Sequence, residues 1–412
     1  MKHLPLLLLL LPQEVAPGTR TESEAAGSIT EADVKAHIAF LASDAMAGRE
    51  TGSDELVKAA EYIAARFEKA GLKPLGADGT FLAWYKLSAD KKAPNCIGLL
   101  EGSDPTLKNE VLVVGANMDH LGKRGTQIFH GADANASGTA GVLELAQAFA
   151  ALKARPKRSI LFVTFSGGEM GMLGSEAYVN SPAIPIEKTA AMFNLDMIGR
   201  SKEGYLFVGG VKTAAEWSDR VKRLGAKHKL TLETAGGGQA PTDSVNFFRK
   251  GVPVLHFFTN VHADYHRPTD EASKIDAAAE VKILQMAFDV ILETAQAKER
   301  PTFKADDSEA VPRDFYERLA GGQPPPRTPK VRLGVNVDPV KDGVKLTSVA
   351  KGSNAEAAGL KVGDILRKVG DKAVRSQEEL IAALADIEPG ESAKVTYARD
   401  GKDHELSVKF AK

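Results

Sequence analysis

An α/β fold with a mostly parallel central sheet flanked by helices, followed by a small β-rich domain, is what this 412-residue chain predicts. Three observations carry that expectation. Short apolar runs at 111–116, 160–165, 191–195 and 254–258 each lead into a polar or glycine-rich cluster. Helical stretches lie between them, notably 139–152 and 215–228, and buried strands alternating with helices build parallel sheets. A proline- and glycine-rich break at 321–326 then sets off a final segment with its own strand-and-turn pattern.

The elements follow in order. Met1-Lys2-His3, Leu4-Pro5 and the leucine run 6–11 read as a secretory signal peptide: a basic start and a brief apolar stretch. Val15-Ala16-Pro17 matches a small-x-small cleavage site poorly. The run is too short to span a bilayer, and no other apolar run approaches that length. The expectation is an exported protein, periplasmic or secreted, with residues 1–27 as signal peptide and N-terminus and no membrane span in the mature chain. From 28 to 71, Val34, Ile38 and Leu41, then Tyr62, Ile63 and Phe67, recur at helical spacing, and Gly71 stops the helix. Residues 28–300 are read as one domain, 301–329 as a linker and 330–412 as a second domain.

Bulk properties exclude several classes. Hydrophobic residues make up 43% and charged residues 26%, an ordinary globular balance. A net charge of −1 gives no electrostatic reason to expect nucleic acid or an acidic membrane as partner. Cys96 is the only cysteine, so no intrachain disulfide forms and core packing must hold the fold.

The polar clusters carry the chemistry. The first apolar run leads into Asn117-Met118-Asp119-His120, the second into Ser166-Gly167-Gly168-Glu169, the third into Asp196 and the fourth into Asn260 through His266. Ligands of parallel α/β sheets bind beyond the carboxyl ends of the strands, where all four clusters fall.

In the last segment, Arg332-Leu333-Gly334-Val335-Asn336-Val337 comes first, then the run Ala-Glu-Ala-Ala-Gly-Leu-Lys-Val-Gly-Asp at 355–364, a helix at 377–385 and a hairpin through Asp400-Gly401. This order resembles a PDZ domain of the bacterial protease-associated type. The resemblance implies capture of peptides or protein C-termini by strand addition, with Leu333, Gly334, Val335 and Val337 along the site and backbone N–H groups near Leu333-Gly334 holding the carboxylate.

Residues 31–300 resemble the bacterial zinc aminopeptidases, the di-zinc peptidases related to glutamate carboxypeptidase. The segments that carry the likeness are Asp44 to Gly52, Gly115 to Gly122, Gly131 to Gly138, Gly168 to Ser175, Asn194 to Gly199 and Asp264 to Asp270. The family's chemistry implies two zinc ions bridged by a carboxylate, a Glu that takes a proton from a metal-bound water, and an Asp that orients a ligand His.

Carried over position by position, the resemblance retains Asp119 as the orienting Asp and Glu169, Asp196 and His266 as ligands. It replaces a ligand His with Asn117, the bridging Asp with Ala134 and the general-base Glu with Gly168. Asp133 precedes the bridge position, and Ser244 departs from the family's Ser/Thr-Asp-His run. Loss of a base alone costs roughly 10²–10⁴-fold in rate. One ion would keep Asp196, the other Glu169 and His266, short of the three protein ligands usual at a catalytic zinc. The related single-zinc glutaminyl cyclases also need a carboxylate at 134. Zinc is the cofactor the family implies; here the expectation is no ion, or at most one weakly bound. A non-catalytic peptidase-family protein is the first expectation. The alternative is an active aminopeptidase with a mononuclear site remodelled from Glu169, His266 and one of His120, His130, Asp133 or His262, although the family often carries histidines at 120 and 262 in any case. A PDZ module on an inert scaffold is the third. Asp119, Glu169 and Asp196 crowd one pocket, so at least one is expected to be protonated, paired with a base or holding a cation.

Overall fold

The computed structural model describes residues 16–88, 90–319, 331–384 and 387–410, which form two compact units dividing at Phe315/Tyr316. Residues 1–15 of the predicted signal peptide and N-terminus (1–27) and the proline-rich stretch lie outside the described residues.

After a short helix at Glu22–Ala26, within the segment read from sequence as signal peptide and N-terminus, the first unit has two main helices rather than one continuous helical region. Helix α1, Glu31–Leu41, is capped by Thr30, whose side chain accepts from the Asp33 N–H, and buries Val34, Ile38 and Leu41. Helix α2, Asp54–Lys69, is capped by Ser53 and buries Leu56, Ala59, Ala60, Ile63 and Phe67. It stops before Gly71, at φ +73°. The break between them holds Arg49 at φ +51° and feeds the site.

The sheet has nine strands. They are β1 Lys73–Pro74, β2 Leu82–Lys86, β3 Lys92–Leu100, β4 Val111–Asn117, β5 Ser159–Phe165, β6 Thr189–Asp196, β7 Tyr205–Gly209, β8 Thr231–Thr234 and β9 Val254–Phe258. The order is β1-β3-β5-β4-β6-β9-β7-β8, with β2 also on β3. The four central strands β5, β4, β6 and β9 are mutually parallel. Antiparallel pairs β3–β5 and β9–β7 flank them, so the whole sheet is mixed. The central strands read as continuous apolar runs because both faces are covered. Helices α3, Gly138–Ala151, and α4, Ala277–Gln296, belong to the larger core cluster, and Tyr178, Phe247 and Phe248 to the cluster on the other face. Full burial of each such Leu or Phe contributes about 1.5–3 kcal/mol. Because the central strands run one way, their carboxyl ends gather Asn117, the 166–169 turn, Asp196 and the 259–266 loop on one edge.

Residues 301–315, read from sequence as the start of the linker, pack on this unit. Phe303 meets Phe248 and Phe315 meets Phe258. Ala310 and Val311 are buried, and the Glu309 carbonyl accepts from the Gly237 N–H. Charge and proline content hid an apolar residue every few positions.

The second unit is an antiparallel sheet. Strand β10, Val335–Val340, lies at its edge and pairs with β11, Gly343–Val349; β12, Ile365–Val369, follows, then the hairpin of β13, Ser392–Arg399, and β14, Lys402–Lys409. Asp400 and Gly401 turn that hairpin, both at positive φ. Helix α5, Gln377–Leu384, packs against β10. No helix among the described residues is long and apolar enough to cross a membrane.

Candidate functional site

The strand-end loops are tied together by Arg49. Its guanidinium is fully buried and donates to the carbonyls of Met118 (3.0 Å), His130 (2.8 Å), Gly131 (3.0 Å) and Leu41. Burial pulls its pKa down to about 10, while Asp119, Asp270 and Glu169 hold its charge.

On one side of the pocket lie amides and an alanine. The Asn117 Nδ2 donates to Asp119 Oδ1 at 3.3 Å, and its Oδ1 accepts from Asn135 Nδ2 at 2.9 Å. Asn135 also donates to the Leu195 carbonyl and accepts from the Gly138 and Met197 N–H groups. Ala134 packs in a small apolar cluster with Met197, Phe207, Phe258 and Val261. A Cβ on Gly168 would fall 2.8 Å from the Asn117 Cβ and 2.7 Å from its Nδ2. The Asn117 side chain therefore occupies the space in which a side chain at 168 would begin.

The other side carries ionisable groups. Glu169 Oε1 meets His120 Nδ1 at 3.3 Å, and Oε2 meets His266 Nε2 at 3.1 Å. Burial opposes its charge, but these hydrogen bonds prevail and hold the carboxyl down at about 2. His120 is buried, which lowers its pKa to about 4. The ring of Tyr265 stacks on His266 at 3.7 Å between centroids.

Asp119 sits beneath both sides. It accepts from Thr51 Oγ1 (2.8 Å) and from the N–H groups of Gly168 and Glu169. Burial and the nearby Glu169 charge push its carboxyl up to about 6. Burial, with Asp243 and Glu169 as neighbours, likewise pushes Asp196 up. The pocket between these groups is about 120 Å³ and is lined by Asn117, Ala134, Gly168, Glu169, Asp196 and His266, among others.

The strand-end residues singled out in the sequence thus meet in one place, but the four rebuild candidates do not. Asp133 Oδ1 accepts from the Gly199 N–H, and its Oδ2 pairs with His262 Nε2 at 3.0 Å. His130 turns to Asp44 and the Pro268 carbonyl. His120 alone of the four faces Glu169 and His266, and His120, Glu169 and His266 bring one ligand atom each within 4.8 Å of one another. Sequence reasoning missed Arg49, Thr51, Asn135 and Asp243. Arg49 and Thr51 lie inside the 44–52 run and Asn135 inside the 131–138 run, which were the available signals. Asp243 lines the pocket with Oδ1 unpaired and is pushed up to about 7 by burial.

In the second unit, Leu333, Gly334, Val335 and Val337 line a groove of about 460 Å³ opposite Leu380, Ile381 and Leu384 of α5. Gly334 stands at φ +81°, and a Cβ there would fall 2.4 Å from the Ser353 Cβ.

Comparison with known proteins agrees with this division. Residues 95–291 match the model of peptidase family M28, and residues 331–410 match that of the PDZ domain. Leupeptin-inactivating enzyme 1 of Streptomyces exfoliatus is 29% identical over 263 residues, covering 63% of this chain and 56% of the relative. The chain therefore spans about half the length of that relative. A serine protease Do-like HtrA of Lactococcus lactis is 47% identical over 73 residues, 18% of each chain. The LapA aminopeptidase of Legionella pneumophila superposes with a TM-score of 0.56 at 19% identity, over 70% of this chain and 79% of that one, a likeness that shows the fold. The chain accordingly carries a peptidase family M28 domain of the zinc aminopeptidase fold, joined to a PDZ domain.

Proposed function

We propose that this protein is an exported pseudopeptidase: an M28 scaffold that no longer cleaves peptide bonds and binds peptides or proteins through its strand-end cleft and its PDZ groove. The carrying observation is at Gly168, where the mapped general base is absent and the Asn117 side chain fills the space a base would need. The neighbouring positions agree. Asn117 offers a neutral amide already engaged by Asp119 and Asn135, and Ala134 belongs to an apolar cluster. This donor set does not suit a carboxylate-bridged zinc pair.

The test is an aminopeptidase assay on the full chain with added zinc, manganese or cobalt. No turnover is expected, and metal-dependent turnover overturns the reading. Turnover gained by the combined Asn117→His, Ala134→Asp and Gly168→Glu variant, against none in the parent, supports it.

For the PDZ domain, the edge of β10 beside α5 supports pairing with a peptide that ends in a free carboxylate. Full-length protein should retain such peptides on a column, and amidating the peptide or removing residues 331–412 should abolish retention. Export rests on the basic start and leucine run; recovery of the protein only from the cytoplasm would overturn it.

One observation favours a second reading, an aminopeptidase working with one metal: His120 joins Glu169 and His266. The same turnover assay decides between the two.

A further inference from the structure

We infer that the M28 domain binds a single transition-metal dication through His120 Nδ1, a Glu169 carboxylate oxygen and His266 Nε2. The inference rests on the reading that the zinc pair is lost, but it concerns binding and not hydrolysis. Glu169 and His266 are positions the resemblance already marks as ligands; His120 is not, and it is the residue that completes the set.

Ligand spacing is the first support. A tetrahedral ion with bonds of 2.0–2.1 Å holds its ligand atoms about 3.3 Å apart. Glu169 Oε1 lies 3.3 Å from His120 Nδ1 and Oε2 lies 3.1 Å from His266 Nε2, and one ligand atom from each of the three residues falls within 4.8 Å of the others. Two imidazoles and a carboxylate are a donor set suited to zinc, copper or nickel rather than calcium or magnesium.

The second support is that each group is fixed before any ion arrives. The Glu169 backbone N–H is anchored on Asp119 at 3.3 Å. The His266 ring stacks on Tyr265 and meets the His120 ring edge-on at 5.6 Å. The His120 ring lies against Gly131, where an added Cβ would fall 2.4 Å from its Cγ, so the glycine makes room for it. His120 is 1% exposed, its Nε2 has no hydrogen-bond partner, and its polar contact is the one with Glu169. Of its two ring nitrogens, Nδ1 is therefore the one aimed at the cluster.

The other acids and histidines around the pocket stand outside this cluster. Asp133 and His262 bond each other, His130 bonds Asp44, and Asp196 lies 4.0 Å from His256, outside the cluster. Among the described residues His120, Glu169 and His266 are the group whose ligand atoms converge, so one ion is expected.

The experiment uses the full chain, stripped with chelator and titrated with zinc in a calorimeter. One zinc per chain is expected, and X-ray absorption on the loaded protein should show two imidazoles on the ion. Glu169→Gln, His266→Ala and His120→Asn should each weaken zinc by roughly 100-fold or more, since even indirect supports of a metal site cost 10–100-fold. His228→Asn, at a histidine that bonds Asp289 instead, should leave the affinity unchanged. If His120→Asn does not fold, the imidazole count on the unaltered protein decides. Two ions per chain, a single imidazole, full affinity in a folded His120→Asn variant, or no zinc uptake would each overturn the proposal. Turnover measured on the same samples bears only on the pseudopeptidase reading: a bound ion with hydrolysis defeats that reading and leaves this site standing.

Discussion

The two sides of the strand-end pocket obey different chemistry although the same loops build both. His120, Glu169 and His266 form a charged, hydrogen-bonded cluster with a carboxylate at its centre. Across the pocket, Asn117 and Asn135 satisfy each other through neutral amides, Ala134 joins an apolar cluster, and Gly168 packs against Asn117. The first side keeps polar groups whose strongest partner is one another. The second has used up its polar groups internally and filled the space that remained. Loss of a catalytic group need not leave a hole; neighbours of suitable size close over it.

Both sides hang on Arg49, and removing it is the largest perturbation expected. Arg49→Met leaves the carbonyls of Leu41, Met118, His130 and Gly131 without their donor and removes the cation facing Asp119 and Asp270. Breaking a buried charge network of this kind costs about 3–5 kcal/mol. Urea unfolding should show that loss, and zinc affinity should fall with it because the 118–120 and 130–131 segments are no longer tied. A variant of undiminished stability would show that the two sides are held independently.

The closed side gives the next effect. Gly168→Ala forces a Cβ to within 2.8 Å of the Asn117 Cβ, an overpacking that costs about 1–3 kcal/mol. Asn117→Gly removes the opposing Cβ, so the double variant should be less destabilised than the sum of the singles. Strict additivity in thermal unfolding would mean that the two positions do not fill one another's space. The ionisable side should be indifferent, with Gly168→Ala leaving zinc stoichiometry unchanged.

Much of this was legible in the sequence. The central strands appear as apolar runs because both their faces are buried, and Asn117, Ala134 and Gly168 stand out within motifs that are otherwise intact. The flanking strands were not legible. β7 and β8 are short, and β2, with residues such as Trp84 and Lys86 exposed or half-exposed, lacks a continuous apolar run. Nor could the sequence choose among His120, His130, Asp133 and His262. That choice depends on which way each ring leaves its loop. His130 turns outward to Asp44 and His262 is drawn to Asp133, contacts 86 and 129 residues apart along the chain.

A layer beneath the pocket repeats the contrast between satisfied and unsatisfied groups. Asp133 has bonds from Gly199, Ser137 and His262, whereas Glu280, fully buried on α4, has no partner for either carboxyl oxygen. Burial, reinforced by Asp133, Glu144 and Asp276, pushes the Glu280 carboxyl well above the usual carboxylate range. The folded protein therefore keeps a proton there that the unfolded chain releases near the ordinary pKa of 4.5. Above that pH the unfolded state binds fewer protons, so this group's contribution makes stability fall as pH rises, by at most about 1.4 kcal/mol per pH unit, until the folded carboxyl itself ionises. Glu280→Gln keeps the shape and removes the proton. The variant should match its parent near pH 4 and gain on it steadily toward pH 8 in denaturant titrations made with chelator present. Parallel stability curves across that range would mean that Glu280 is paired in solution and that the unsatisfied layer does not exist.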